Sequence, residues 1–164
     1  MERDVSRKIL FVCLGNICRS PAAEAIFNYL SEREGLVDLI ASESAGTANY
    51  HVGEPPDPRM RAAGEARGYR FVTLARQFDP ERDFHEFDYI LTMDPSNLAN
   101  VTALDRRGEW RHKVRPMVSY CRRFQDSQIP DPYYGGEENF RYVLDLLEDA
   151  CAQLLDELKQ EIKG

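Results

Sequence analysis

Cys13 and Arg19 bracket a short loop, Cys13-Leu14-Gly15-Asn16-Ile17-Cys18-Arg19-Ser20, that brings a nucleophile, a chain-bending pair and a guanidinium together. A cysteine thiolate can attack phosphorus, and an arginine fork grips two phosphate oxygens with a geometry that lysine lacks. Gly15 and Asn16 both tolerate the left-handed conformation, so the chain there can curl and turn successive N–H groups inward as an anion nest. Ser20 adds a hydroxyl that can donate to the sulfur. A bare Cys-x5-Arg spacing is a weak signal, because a cysteine after an apolar run is commonly a small buried hydrophobe. The elements on either side supply the missing context.

Ile9-Leu10-Phe11-Val12, preceded by Arg7 and Lys8, suits a strand buried on both faces, which puts Cys13 at its carboxyl end. Ser20-Pro21 predicts a helix start, with Ser20 as N-cap and Pro21 at the first helical position. Ala22, Ala25, Ile26, Tyr29 and Leu30 then recur at helical spacing as one packing stripe, with Glu24 and Asn28 outward or toward the loop. The loop thus precedes a helix N-terminus, whose unpaired N–H groups and dipole favour an oxyanion and a thiolate.

Strand and helix signals alternate along the rest of the chain. A second strand is expected at 36–44, a helix from Asp57-Pro58-Arg59 toward Gly68, a third strand at 87–93, and a helix after Asp94-Pro95-Ser96. A fourth strand is expected at 113–117, with Pro116 near its end. Phe140, Val143, Leu144, Leu147, Ala150, Cys151, Leu154, Leu158 and Ile162 trace the stripe of a final helix. This order predicts an α/β three-layer sandwich, a central four-stranded parallel sheet flanked by helices, with ligands at the carboxyl ends of the strands. Cys13, Ser44 and Asp94 fall at such ends.

At 164 residues, with 43% apolar and 30% charged side chains, the chain is expected to form one domain, 1–164. A net charge of −7 argues against broad nucleic-acid binding. The basic run Arg106, Arg107, Arg111, Lys113, Arg115, Arg122 and Arg123 reads best as a solvated face. The start, Met1 to Lys8, is charged and lacks the apolar run of a signal peptide or membrane span, so a cytoplasmic protein without membrane insertion is expected. Four cysteines without metal or framework spacing predict neither a zinc site nor structural disulfides, and no cofactor is expected.

Cys13 to Pro21 resembles the signature loop of the low-molecular-weight protein tyrosine phosphatases. Ser44-Ala45-Gly46-Thr47, Gly53-Glu54-Pro55-Pro56-Asp57, Ala75-Arg76-Gln77, the run from Phe87 to Asp94, and Asp131-Pro132-Tyr133-Tyr134 resemble later family segments in the family's order. The likeness extends from about Lys8 to the last helix. It implies hydrolysis of phosphotyrosine and small aryl phosphates through a cysteinyl-phosphate, with Cys13 as nucleophile and Arg19 holding the phosphate with the loop from Leu14 to Ser20. From local sequence alone Asp131-Pro132 simply opens a turn; the resemblance implies that Asp131 is the general acid, then the base for water. It further implies that Leu14, Ile17, Tyr50, Tyr133 and Tyr134 surround an aromatic ring, and that Ser44, Thr73 and Asp94 stand behind the loop.

One position departs from the family. Relatives commonly carry histidine where this chain has Thr73, so altered bracing around Asn16 and Ser44 is expected. The expected partners are phosphotyrosine proteins and a cognate tyrosine kinase; Tyr133 and Tyr134 resemble positions phosphorylated in some relatives. Cys18, beside Cys13 in the loop, suggests redox regulation through a protective disulfide after peroxide oxidation. Three alternatives are weaker. An arginine phosphatase of the same fold tends to carry threonine where this chain has Ile17, and an arsenate reductase needs further cysteines that residues 81–93 lack. A noncatalytic phosphate binder has no evident use for Cys13 together with Asp131.

Overall fold

Alternating side chains along β1 (Arg7–Cys13) divide the interior in two. Ile9, Phe11 and Cys13 enter a core shared with α1 (Arg19–Arg33) and α5 (Glu137–Lys163). Leu10 and Val12 enter a second core with Phe78, Phe84, Phe87, Ile90 and Val101. Both sets are buried, which is why the strand reads as a continuous apolar run. The computed structural model describes residues 5–163; Met1 to Asp4, part of the charged start, and Gly164 lie outside the described residues.

β1 pairs in parallel with β2 (Ile40–Gly46) on one side and β3 (Tyr89–Thr92) on the other, and β4 (Val114–Pro116) adds to β3. The resulting order is β2-β1-β3-β4. The chain leaves β1 toward one side of the sheet and continues on the other, so a crevice opens where β1 and β3 end. In register, Phe11 faces Ser44 and Leu91, and Cys13 faces Gly46.

α2 (Pro58–Glu65), α3 (Pro80–Glu86) and α4 (Pro95–Leu104) all begin with Asp-Pro. Asp57, Asp79 and Asp94 cap them by accepting the N–H groups of Arg59, Glu81 and Asn97, and proline fills the first helical position. α3 is an addition to the expected elements. Its seven residues are too few to show a helical period, although Asp79-Pro80 carries the same start signal as the other two.

Two details of α1 differ from expectation. Its N-cap is Cys18 rather than Ser20, because the Ser20 hydroxyl is engaged by the loop and caps nothing. Its first half is buried nearly all round, not along one stripe, because α1 packs between the sheet and α5. Glu24 is therefore inside the protein. β2 starts at Ile40, later than expected, since residues 36–39 form turns. The stripe of α5 is as expected, with Ile162 only half-buried at its end.

The long connection from β4 to α5 is pinned at two points. Asp149 Oδ2 on α5 accepts the N–H groups of Arg122, Arg123 and Phe124 at 3.0, 2.9 and 3.3 Å. Ile129 N–H donates to the Met93 carbonyl at 2.8 Å, which brings residues 129–131 to the end of β3. Among the described residues no helix is long and apolar enough to cross a membrane, and no three His, Cys, Asp or Glu side chains gather as a metal site.

At the opposite end of β1, Glu86 receives Arg82 Nε and Lys8 Nζ, both at 2.6 Å. These two bonds, Arg82's first, hold its carboxyl down to about 2. A folded-state pKa below the unfolded value stabilises the protein above roughly pH 4.3 and loses that stabilisation as pH falls toward the folded value. Glu86→Gln is therefore expected to lower the urea midpoint at pH 6, with the gap to the parent closing as pH is reduced below about 4.3. A gap that persists unchanged at pH 3 would contradict this.

Candidate active site

Cys13 closes β1 with its Sγ 3.0 Å from Ser20 Oγ. The Asn16 amide donates to that same oxygen at 2.7 Å, so the Ser20 hydroxyl hydrogen is left to turn toward the sulfur or toward the Ala45 carbonyl, 3.4 Å away. Asn16 is oriented in turn by Arg76, whose backbone N–H donates to its Oδ1 at 3.0 Å. Of the two residues expected to turn left-handed only Asn16 does so, with φ +58°. Gly15 instead gives room to a neighbouring ring, since a Cβ there would lie 2.9 Å from His51 Cδ2.

The loop's carbonyls are tied away from its concave side. Cys13 O accepts from Thr47 N–H at 2.9 Å, Leu14 O from Ala48 N–H at 3.0 Å, and Ile17 O from Asp57 N–H at 2.8 Å. A trans peptide points the next N–H opposite to each carbonyl. The N–H groups of Leu14, Gly15 and Cys18 are thereby aimed toward the cleft, at the start of α1, as an anion site requires.

Arg19 is almost wholly buried. Its Nη1 donates to Asp94 Oδ2 at 2.7 Å and to the Ile129 carbonyl at 2.9 Å, and its Nη2 lies 3.7 Å from Asp131 Oδ2. Asp94 uses its other oxygen to cap α4 at Asn97 N–H, so this carboxylate is fixed from two sides. Asp131 is 38% exposed at the cleft mouth, and its Oδ1 accepts the Tyr133 N–H at 3.1 Å. The structure therefore brings the three expected catalytic side chains to one crevice.

That crevice has a volume of about 190 Å³ and is lined by Leu14, Gly15, Ile17 and Cys18 as well as by Cys13, Arg19 and Asp131. Asn16 and Ser20 lie beneath it and hold its shape. Tyr50, Tyr133 and Tyr134 border it, but at 73% and 93% exposure Tyr50 and Tyr134 form a rim, not a deep wall. A larger cavity of about 700 Å³ between α2 and the start of α5 contains none of Cys13, Arg19 and Asp131, which meet in the smaller one. Burial raises the Cys18 thiol well above its ordinary value.

The bracing behind the loop runs through Glu24. Ser44 Oγ and Thr73 Oγ1 both donate to Glu24 Oε1, at 2.6 and 3.2 Å. Thr73 thus reaches α1 through Glu24 and does not support Asn16, whose partners are Ser20 and Arg76. Burial pushes the Glu24 carboxyl up, and the two hydroxyl bonds work against that shift. Two site residues had no sequence signal. The helical spacing puts Glu24 outward or toward the loop, and His51 stands in a segment without pattern, yet it lines the cleft with Nδ1 2.5 Å from Glu54 Oε2.

Ser20→Ala removes the hydroxyl that faces the sulfur and is expected to lower kcat on the order of a hundredfold, as loss of a charge-stabilising donor does. The loss should fall on the step in which sulfur departs, so rapid mixing should still show a first-turnover burst. An unchanged kcat would contradict the geometry.

The sequence model of the low molecular weight phosphotyrosine protein phosphatase family matches residues 8–164. A Synechocystis relative carrying the same family name is 54% identical over 155 residues, covering 94% of this chain and 98% of its own. The crystal structure of an Entamoeba histolytica protein tyrosine phosphatase with Hepes in its active site superposes with a TM-score of 0.90 at 44% identity, covering 95% of this chain and 99% of that one. An arginine phosphatase, YwlE, in a variant with a phosphorylated active-site serine, superposes with a TM-score of 0.80 at 28% identity, covering 93% and 95%. A family model that matches residues 8–164, relatives of this identity and coverage, and a curled loop beside a buried arginine agree: the chain belongs to the low molecular weight phosphotyrosine protein phosphatase family.

Proposed function

We propose that this protein hydrolyses phosphotyrosine, and small aryl phosphates, by two phosphoryl transfers through Cys13. The observation that carries this reading is the convergence of Cys13 Sγ, the Arg19 guanidinium and the Asp131 carboxyl on one cleft, with Ser20 Oγ 3.0 Å from the sulfur. In the first transfer the thiolate attacks phosphorus, the phosphorus–oxygen bond breaks, and Asp131 gives its proton to the leaving phenolate. Arg19 and the loop N–H groups carry the charge on the equatorial oxygens. In the second, Asp131 takes a proton from water, the water oxygen attacks phosphorus, and sulfur leaves as a thiolate that accepts from Ser20.

Ring recognition supports tyrosine over the arginine alternative. Ile17 and Leu14 give the cleft an apolar lining, and Tyr50, Tyr133 and Tyr134 surround its mouth. A long aryl phosphate reaches Cys13 across that rim with its ring in contact, whereas a guanidinium needs polar partners there. The other two alternatives lack support as well. Cys18 is the single further cysteine at the cleft, since Cys151 donates to Ala23 O within the core and Cys121 to Leu146 O.

The natural substrates on this reading are phosphotyrosine proteins made by a tyrosine kinase in the cytoplasm, where thiols stay reduced. Redox control fits the same site, because Cys18 borders the cleft. Its buried, protonated thiol makes a Cys13–Cys18 bond dependent on removal of that proton.

Two outcomes are expected. Cys13→Ser should abolish hydrolysis of p-nitrophenyl phosphate and Asp131→Ala should slow it by about a hundredfold or more; full activity in Cys13→Ser would contradict the mechanism. Phosphotyrosine peptides should exceed phosphoarginine and phosphoserine peptides in kcat/KM, and Ile17→Thr should narrow the ratio to phosphoarginine. Preference of the parent for phosphoarginine would overturn the ring reading.

A further inference from the structure

Arg59 stands outside the catalytic cleft yet is joined to the loops on both sides of it. Its Nε and Nη2 donate to Asp57 Oδ1 and Oδ2 at 3.1 and 2.9 Å. Asp57 is buried, caps α2 through the Arg59 N–H, and donates its own N–H to the Ile17 carbonyl in the nucleophile loop. On its other side the guanidinium lies 5.2 Å from the centre of the Tyr133 ring and 4.8 Å from that of Phe140 on α5. Tyr133 in turn donates its N–H to Asp131.

We infer that Arg59 is a positioning residue that clamps the loop bearing Asp131 to the loop bearing Cys13. The contacts run from the Ile17 carbonyl through Asp57, Arg59 and Tyr133 to the Asp131 carboxyl, and so join two residues that line the cleft, Ile17 and Asp131. Only a planar guanidinium can donate twice to one carboxylate and also lay its face on aromatic rings. Although burial opposes it, the side-chain and backbone bonds from Arg59 hold the Asp57 carboxyl below its ordinary value, consistent with a permanent ion pair. Residues 131–136 contain no helix or strand, so their position depends on such contacts. A clamp of this kind sets how well Asp131 meets the leaving oxygen, while leaving the phosphate site itself untouched.

The inference rests on Asp131 acting as the acid, and the test separates the two. The parent, Arg59→Met, Arg59→Lys and Asp131→Ala are each assayed for kcat/KM on phenyl phosphate, whose leaving group needs a proton, and on dinitrophenyl phosphate, whose leaving group does not. The ratio of the two constants does not depend on the fraction of enzyme folded. Both Arg59 variants are expected to shift it by roughly tenfold against phenyl phosphate, in the direction of Asp131→Ala, as a misplaced catalytic group does. An unchanged ratio in the Arg59 variants beside a shifted one in Asp131→Ala would overturn the clamp alone. A parent-like ratio in Arg59→Lys would overturn it too, because the fork would then be unnecessary. An unshifted ratio in Asp131→Ala would overturn the acid assignment and the clamp with it.

Discussion

A guanidinium withdrawn from water organises this site. Arg19 is 2% exposed, and a charge so placed persists only if it is paired and hydrogen-bonded. Asp94, at the start of α4, and the Ile129 carbonyl, in the connection from β4 to α5, meet that requirement together. One side chain from the β1–α1 loop therefore draws the ends of two other segments to itself. Its Nη2 faces Asp131 at the cleft, where low dielectric would strengthen the attraction to an anion on the proposed reading. The same burial that makes the arginine costly makes it effective.

The loop from Cys13 to Arg19 is shaped from outside. Its carbonyls are claimed by Thr47, Ala48 and Asp57, all of them beyond β2, and the planar peptide turns the N–H groups the other way. Asn16 takes the one left-handed conformation and spends both ends of its amide on keeping it, on Ser20 and on the Arg76 backbone. β2 must also end in a residue without a side chain. A Cβ at Gly46 would lie 2.7 Å from the Leu14 carbonyl oxygen and 3.1 Å from the Asn16 nitrogen. The nest is thus built by the sheet edge and the segment after it as much as by the loop's own residues.

Much of this was legible in the chain because the signals were local. An apolar strand, a Cys-x5-Arg loop and the Asp-Pro starts of α2 and α4 each depend on neighbours a few positions apart, and the α5 stripe repeats often enough to be unmistakable; the Asp79-Pro80 start of α3 opens a helix too short to show a period. What escaped depended on contacts between distant residues. Ser20 reads as an N-cap until the Asn16 amide and the Cys13 sulfur are seen to claim its hydroxyl. Glu24 reads as turned outward or toward the loop until α5 covers α1 and Ser44 and Thr73 close on it. Thr73 takes a partner on α1 that no spacing could name, and His51 reaches the cleft from a loop without periodic pattern. Tyr50, Tyr133 and Tyr134 border the cleft, but their exposure is a property of the folded surface that no local pattern carries.

The most direct test of the account is to catch the covalent intermediate. Enzyme mixed with excess p-nitrophenyl phosphate, quenched in acid within the first turnovers and digested, should yield a phosphorylated peptide containing Cys13, with the phosphoryl group on its sulfur. Label on any other residue, or its absence while Ser20→Ala and the parent both show a burst of phenolate, would contradict transfer through Cys13.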